Sequence, residues 1–359
     1  MIFYLVLPVM SKQDELFMQR ALQLAGYGKS MVSPNPMVGC VIVYDGKIIG
    51  EGWHQKAGEP HAEVLAIRSV KDEGLLKLAT AYVTLEPCAH YGKTPPCAEL
   101  LVEKQLKKVV IGALDPNPLV AGKGIEILKN AGIEVETAVL EKECIEINKT
   151  FFTFMQKKRP YIILKWAQTS DGFIARKDFD SKWISNPLSR QLVHKWRTEI
   201  DAILVGKNTV QYDDPQLTAR DWAGKNPVRI VIDYNLVLNE DLKIFDGEQK
   251  TILFHSQDKK VERQGVESVK LNQDKFLEDM MNYLHQEKIH SVLVEGGAQT
   301  VQSFIDAGFW DEARIFTAPV SFKKGIKAAE LKKHQLVSQE NIQDNNQIDV
   351  LSIYQNMNL

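Results

Sequence analysis

Along the first third of the chain the apolar positions switch from helical to strand spacing and back. Leu16, Met18, Ala21, Leu22 and Ala25 share one face, predicting a helix from Asp14 that Gly26 and Gly28 end. Two apolar runs, 38–44 and 47–53, flank Asp45-Gly46, which reads as a hairpin. The pattern then alternates: helix over 60–70, strand 81–85, helix 96–104, strand 108–113, helix 124–131 and strand 133–137. Such alternation predicts a mostly parallel sheet between layers of helices.

A charged helical stretch, 141–158, ends in Lys157-Lys158-Arg159-Pro160, and the domain boundary is placed there. An N-terminal domain over 11–150 and a second over 159–359 result. The second again alternates, with strands at 161–166, 202–205, 228–233, 251–255, 291–295 and 313–318 and helices at 187–199, 275–286 and 298–307. It too reads as α/β. After residue 330 the tail is rich in Gln, Asn and Lys and predicts a last strand or two near 348–354, with no function assigned.

At 359 residues the chain is too long for one ordinary core and suits two. Its net charge of −2 hides no basic half, since residues 1–150 carry 16 Lys and Arg against 18 Asp and Glu. That balance argues against a dedicated nucleic-acid binder. Four cysteines are too few for a disulfide framework, so a reduced, cytoplasmic protein is expected. The apolar opening of residues 1–9 has no cation before it and is too short to cross a bilayer. Residues 1–10 are read as an extension, with Met10 as a second start-like position.

Chemistry concentrates at His61-Ala62-Glu63, Pro87-Cys88 and Pro96-Cys97. One imidazole and two thiols suit zinc and leave its fourth position open, the arrangement of a catalytic site. His61 and Cys97 fall at predicted helix starts, where the dipole favours anions. Glu63 would then shuttle protons from the metal's water to a ring nitrogen and to departing ammonia. The order His-x-Glu then Pro-Cys is that of zinc nucleobase deaminases. Their usual pair of residues between the cysteines is here eight. A closed structural site with His90 as fourth ligand is the rival reading. Cys40 and Cys144 lack partners at ligand spacing, and Cys40 reads as core.

The enlarged loop Cys88-Ala-His90-Tyr-Gly-Lys93-Thr-Pro-Pro-Cys97 resembles the bifunctional deaminase/reductase family of riboflavin biosynthesis. So do Asn35-Pro-Met-Val-Gly-Cys40, Gly52-Trp-His54 and Asp115-Pro-Asn117-Pro. By that resemblance Asn35, His54, Lys93, Asp115 and Asn117 contact the pyrimidine and its ribose phosphate. Asn35-Pro and Asp115-Pro are also ordinary turn formers.

No Gly-x-Gly-x-x-Gly follows a predicted strand, so a Rossmann dinucleotide site is not indicated. Gly296-Gly297 instead joins a strand to a helix, where backbone amides can approach a phosphate. Lys165 through Gly172, Ser181 through Ser185, Asp201 through Val210 and Asp213 through Arg220 follow the order of the family's reductase half. The resemblance implies a cytidine-deaminase-like α/β/α sandwich followed by a dihydrofolate-reductase-like domain. It assigns Ala167, Trp183, Thr209, Asp213, Gly297, Ala298, Gln299, Thr300 and Ser303 to NADPH, and Lys165, Ser181, Leu217, Arg220 and Glu295 to substrate. Two segments depart from the family: Thr169 stands where Ser is usual, and Pro319 through Gly325 lacks the usual glycine-rich continuation.

The expected protein is thus a homo-oligomeric enzyme, with one zinc and NADPH, acting on small pyrimidine ribose phosphates and not on nucleic acid or membranes. The alternative is a nucleoside or nucleic-acid zinc deaminase with an unrelated C-terminal domain.

Overall fold

The computed structural model describes residues 12–89, 91, 95–118, 120–179, 184–259 and 261–357. Contacts divide the chain into two units, Met1–Lys157 and Lys158–Leu359.

The first unit runs α1 (Lys12–Gly26), β1 (Gly39–Tyr44), β2 (Lys47–Trp53), α2 (Ala62–Ser69), β3 (Thr80–Leu85), α3 (Cys97–Glu103), β4 (Lys108–Ala113), α4 (Lys123–Asn130), β5 (Glu134–Thr137), α5 (Glu141–Ile147) and α6 (Lys149–Lys157). Its sheet order is β2-β1-β3-β4-β5. The sheet is mixed rather than mostly parallel, because β1 pairs antiparallel with both β2 and β3 while β3, β4 and β5 are parallel. Asp45 and Gly46 both have positive φ, 49° and 68°, as the tight hairpin requires.

Alternate strand residues feed two separate cores. Cys40, Ile42, Ala81, Val83, Val109 and Ile111 pack with Ala66, Leu101 and Leu128 from α2, α3 and α4. Val41, Val43, Tyr82 and Val110 pack with Met18, Ala21, Cys144 and Phe151 from α1, α5 and α6. A strand period of two thus makes a three-layer sandwich. The stretch expected as one helix over 141–158 is broken at Asn148. Its buried side chain leaves the helix to pair with Met37, accepting from the backbone N–H at 2.8 Å and donating to the carbonyl at 2.8 Å.

The second unit runs β6 (Tyr161–Thr169), β7 (Phe173–Ala175), α7 (Pro187–Glu199), β8 (Ala202–Gly206), α8 (Lys207–Asp213), β9 (Val228–Ile232), β10 (Thr251–His255), β11 (Val266–Lys270), α9 (Phe276–Gln286), β12 (Ser291–Glu295), α10 (Ala298–Asp306), β13 (Glu312–Ala318), β14 (Ile326–Lys327), β15 (His334–Gln343) and β16 (Ile348–Asn356). Nine strands form one sheet in the order β11-β10-β9-β8-β12-β6-β13-β16-β15. The strands from β11 to β13 are parallel, and β16 and β15 add an antiparallel edge. Met280, Leu284, Val301 and Phe304 of α9 and α10 cover one face, and Val193 and Trp196 of α7 the other.

Arg159 ties the chain into this unit as it enters. Its guanidinium donates two hydrogen bonds to Asp311, at 2.6 and 2.9 Å, and the same carboxylate accepts the Ile162 N–H at 2.8 Å. Both side chains are buried, so the charges are compensated in place. No described helix is long and apolar enough to cross a membrane.

Candidate functional site

In the first unit β3 leads into Glu86-Pro87-Cys88, while α2 and α3 begin at His61 and Cys97. His61 is the N-cap of α2, and Cys97 is the first residue of α3 after the N-cap Pro96. The His61 Nδ1 atom lies 3.6 Å from Cys88 Sγ and 3.3 Å from Cys97 Sγ. All three ligating atoms fall within 4.8 Å of one another. The Cys97 N–H, one of the unpaired donors of a helix start, donates to Cys88 Sγ at 3.3 Å. Hydrogen bonding from the Cys97 thiol, ahead of His61, holds Cys88 well below the usual thiol range, and that sulfur in turn pushes Cys97 up. A thiolate is therefore already favoured, and the thiolate is the ligand form zinc takes. These residues fit a zinc ion. His90, the rival fourth ligand, lies outside the described residues.

Glu63 sits in the first turn of α2 and is 3% exposed, and burial pushes its carboxyl up. Next to His61 stands His54, which is hydrogen-bonded to Asn35. Nδ1 of His54 faces the Pro60 carbonyl at 3.2 Å and must donate to it, which leaves Nε2 to accept from Asn35 Nδ2 at 3.0 Å. Burial lowers the His54 pKa, consistent with this neutral form. The His54 and His61 rings meet edge to face at 5.4 Å. Asp115 and Asn117 follow β4 on the same end of the sheet, and the Asp115 carboxylate accepts the Asn117 N–H at 2.8 Å. Asp115 therefore does serve as a turn former. Lys93 lies outside the described residues.

In the second unit a cleft of about 990 Å³ opens at the carboxyl ends of β6, β8 and β12, where ligands of parallel sheets bind. Lys165 and Ala167 reach it from β6, Thr209 and Asp213 from α8, and Leu217 and Arg220 from the following loop. Glu295 ends β12, and Gly297, Ala298, Gln299, Thr300 and Ser303 supply the turn and first part of α10. Gly296 has φ +118°, and a Cβ there would stand 2.8 Å from Thr209 Oγ1, so the tight turn excludes a side chain. Ser181 and Trp183 lie outside the described residues.

The cleft holds a residue that motif reading missed. Arg197, from α7, donates to both oxygens of Glu295, at 3.0 and 2.9 Å, and Lys165 Nζ lies 3.7 Å from the same carboxylate. Those two cations hold Glu295 down at about 2 against its burial, while burial lowers Lys165. Glu295, expected to meet substrate, arrives already paired, with a second lone pair on each oxygen still to offer. Arg190, His194 and Arg197 share one face of α7 at four- and seven-residue spacing and all line the cleft. That polar stripe was the available signal.

The departures from the family find structural uses. The Thr169 hydroxyl donates to Asp171 at 2.6 Å and accepts the Phe173 N–H at 2.9 Å, closing the turn from β6 to β7. Asp171 also takes the Ser321 hydroxyl at 2.7 Å and the Lys323 N–H at 2.8 Å, pinning the atypical 319–325 segment.

Residues 11–113 match the cytidine and deoxycytidylate deaminase zinc-binding region, and residues 160–337 match the RibD C-terminal domain. Over 324 residues the chain is 44% identical to riboflavin biosynthesis protein RibD of Aquifex aeolicus, covering 89% of this chain and 90% of that protein. The chain belongs to the RibD family. A Thermotoga maritima diaminohydroxyphosphoribosylaminopyrimidine deaminase/5-amino-6-(5-phosphoribosylamino)uracil reductase superposes with a TM-score of 0.87 at 40% identity, over 96% of this chain and 99% of that one. RibD of Acinetobacter baumannii gives 0.84, also at 40% identity, over 96% and 99%. As in RibD proteins generally, the first unit is a deaminase and the second a reductase of riboflavin biosynthesis. A nucleic-acid deaminase with an unrelated second domain does not fit, because RibD relatives span both units.

Proposed function

We propose that this chain deaminates a 2,5-diamino-6-ribosylamino-pyrimidinone phosphate hydrolytically and then reduces the ribosyl chain to ribityl with NADPH. The observation that carries the first step is the convergence of His61, Cys88 and Cys97 within 4.8 Å, beside the buried Glu63. Zinc bound by these three supplies the Lewis acidity that makes water nucleophilic near neutral pH. Glu63 takes a proton from the attacking water and returns protons to the ring nitrogen and the leaving ammonia. Asn35 and His54 orient the base, and Asp115 and Asn117 hold the sugar phosphate.

For the second step Thr209, Asp213 and the Gly297 to Ser303 turn would hold NADPH, which would supply the hydride. Arg220 faces the phosphate with a guanidinium fork. Arg197 fixes Glu295, which positions the sugar, and Lys165 delivers the accompanying proton.

The enzyme is cytoplasmic and homo-oligomeric in this reading. Support for assembly comes from β15, a ten-residue edge strand that is exposed along almost its whole length, Leu336 and Val337 included. Such an edge offers unpaired backbone groups to a second copy.

The test is a coupled assay on the full-length zinc protein. Ammonia should appear without NADPH, and NADPH oxidation should follow when it is added. Glu63→Gln should slow ammonia release about 10³-fold while keeping its zinc and its protection by NADPH against thermal unfolding. A wild-type protein with stoichiometric zinc and no ammonia release overturns the deaminase assignment.

A further inference from the structure

Glu86 has no part in the chemistry above, yet it is a carboxylate sunk to 3% exposure immediately before Pro87 and the metal-binding Cys88. Among the described residues no Lys, Arg or His pairs with it. Its compensation is four backbone N–H groups from one short segment. One oxygen accepts from Gly122 at 3.0 Å and Asp115 at 3.3 Å, and the other from Gly124 at 3.0 Å and Ile125 at 3.4 Å. These donors span the loop that carries Asp115 and Asn117 and reach into the first turn of α4. That turn also presses on the metal side, since a Cβ on Gly124 would stand 2.1 Å from the Pro87 carbonyl oxygen.

We infer that Glu86 is a positioning residue of the deaminase, fixing the 115–125 segment against the strand that delivers Cys88 and thereby setting substrate affinity. The inference rests on the deaminase reading of the first unit. The chemistry explains why a carboxylate is needed. Only an acceptor-only group presents two oxygens to four converging donors, whereas Gln is isosteric but turns an NH2 toward two N–H groups. Unpaired donors then drive the loop away from its place. Asp keeps both oxygens and loses one methylene of reach.

The experiment uses the full-length zinc protein and three readouts. Glu86→Gln should raise KM for the pyrimidine phosphate about 10-fold with kcat changed by less than about 3-fold, and Glu86→Asp should fall between it and wild type. Zinc content and the reductase reaction should stay unchanged. Amide hydrogen exchange should quicken over 115–125 in Glu86→Gln and stay level in β1 to β4. Unchanged KM and exchange overturn the inference. Loss of zinc together with a collapse of kcat overturns it too, because Glu86 would then be a prop for Cys88. Wild-type inactivity defeats the deaminase reading instead, and the exchange of 115–125 still decides whether Glu86 holds that loop.

Discussion

The metal-binding cluster and the reductase cleft solve the same problem, placing charge where it is costly, in different ways. In the first unit the chemistry comes from two helix starts and the segment after one strand, with His61 and Glu63 two residues apart and the cysteines nine apart. The Cys97 N–H meets the Cys88 sulfur there, and a metal ion held by the three side chains would neutralise the rest. In the second unit the key charges come from β6, α7 and β12, and Arg197 and Glu295 are 98 residues apart in sequence. They neutralise one another. The first site would therefore depend on an ion, and the second depends on the fold.

Arg197→Ala attacks that difference most directly. Removing Arg197 takes both hydrogen bonds from the buried Glu295 and leaves it only Lys165 at 3.7 Å, so the second unit should lose about 3 kcal/mol while ammonia release is spared. Two calorimetric transitions, one moved and one fixed, would mark the outcome. If both move together, the units do not keep separate stability.

Acid should sharpen the contrast by a smaller amount. His290, next to β12 and facing Asp201 and His285, is held neutral by burial down to about 4. Its folded value lies below the unfolded 6.5, so the unfolded chain binds the extra proton in between. Stability from this group is complete above pH 6.5 and disappears as pH falls through about 4, a loss of about 3 kcal/mol. Urea titrations at pH 7 and pH 4, compared with His290→Gln, isolate it from the carboxylates.

The smallest effect is expected at the nucleotide turn. Gly296→Ala forces a Cβ toward Thr209 at φ +118°, costing about 1 kcal/mol and weakening NADPH binding several-fold, with deamination unaffected. Fluorescence titration with NADPH measures this, and unchanged affinity would remove the turn from the cofactor site.

The same contrast explains what the sequence made legible. His61, Glu63, Cys88 and Cys97 could be read because local elements place each of them, and local signals survive in one dimension. Arg197 could not, since its partner is supplied by the pairing of distant strands; only the stripe with Arg190 and His194 hinted at it. The strand over 334–343 escaped because it is exposed on nearly every residue and carries no alternation, being specified by its partner β16 instead. The seven-residue α8 and the edge strand β11 were too short to show a period. Two β1 pairings make the first sheet mixed, which alternation of strand and helix alone does not reveal.

Asn148 bears on how this deaminase could be made portable. The recognised deaminase region stops at residue 113, yet the amide clamp on Met37 reaches back from 111 residues later to a point two positions from Asn35. A fragment excised at that limit would carry His61, Glu63, Cys88 and Cys97 and still lack the brace for the turn beside Asn35. Trimming should therefore spare the whole of α6, so that the smallest transplantable catalyst extends to Lys157.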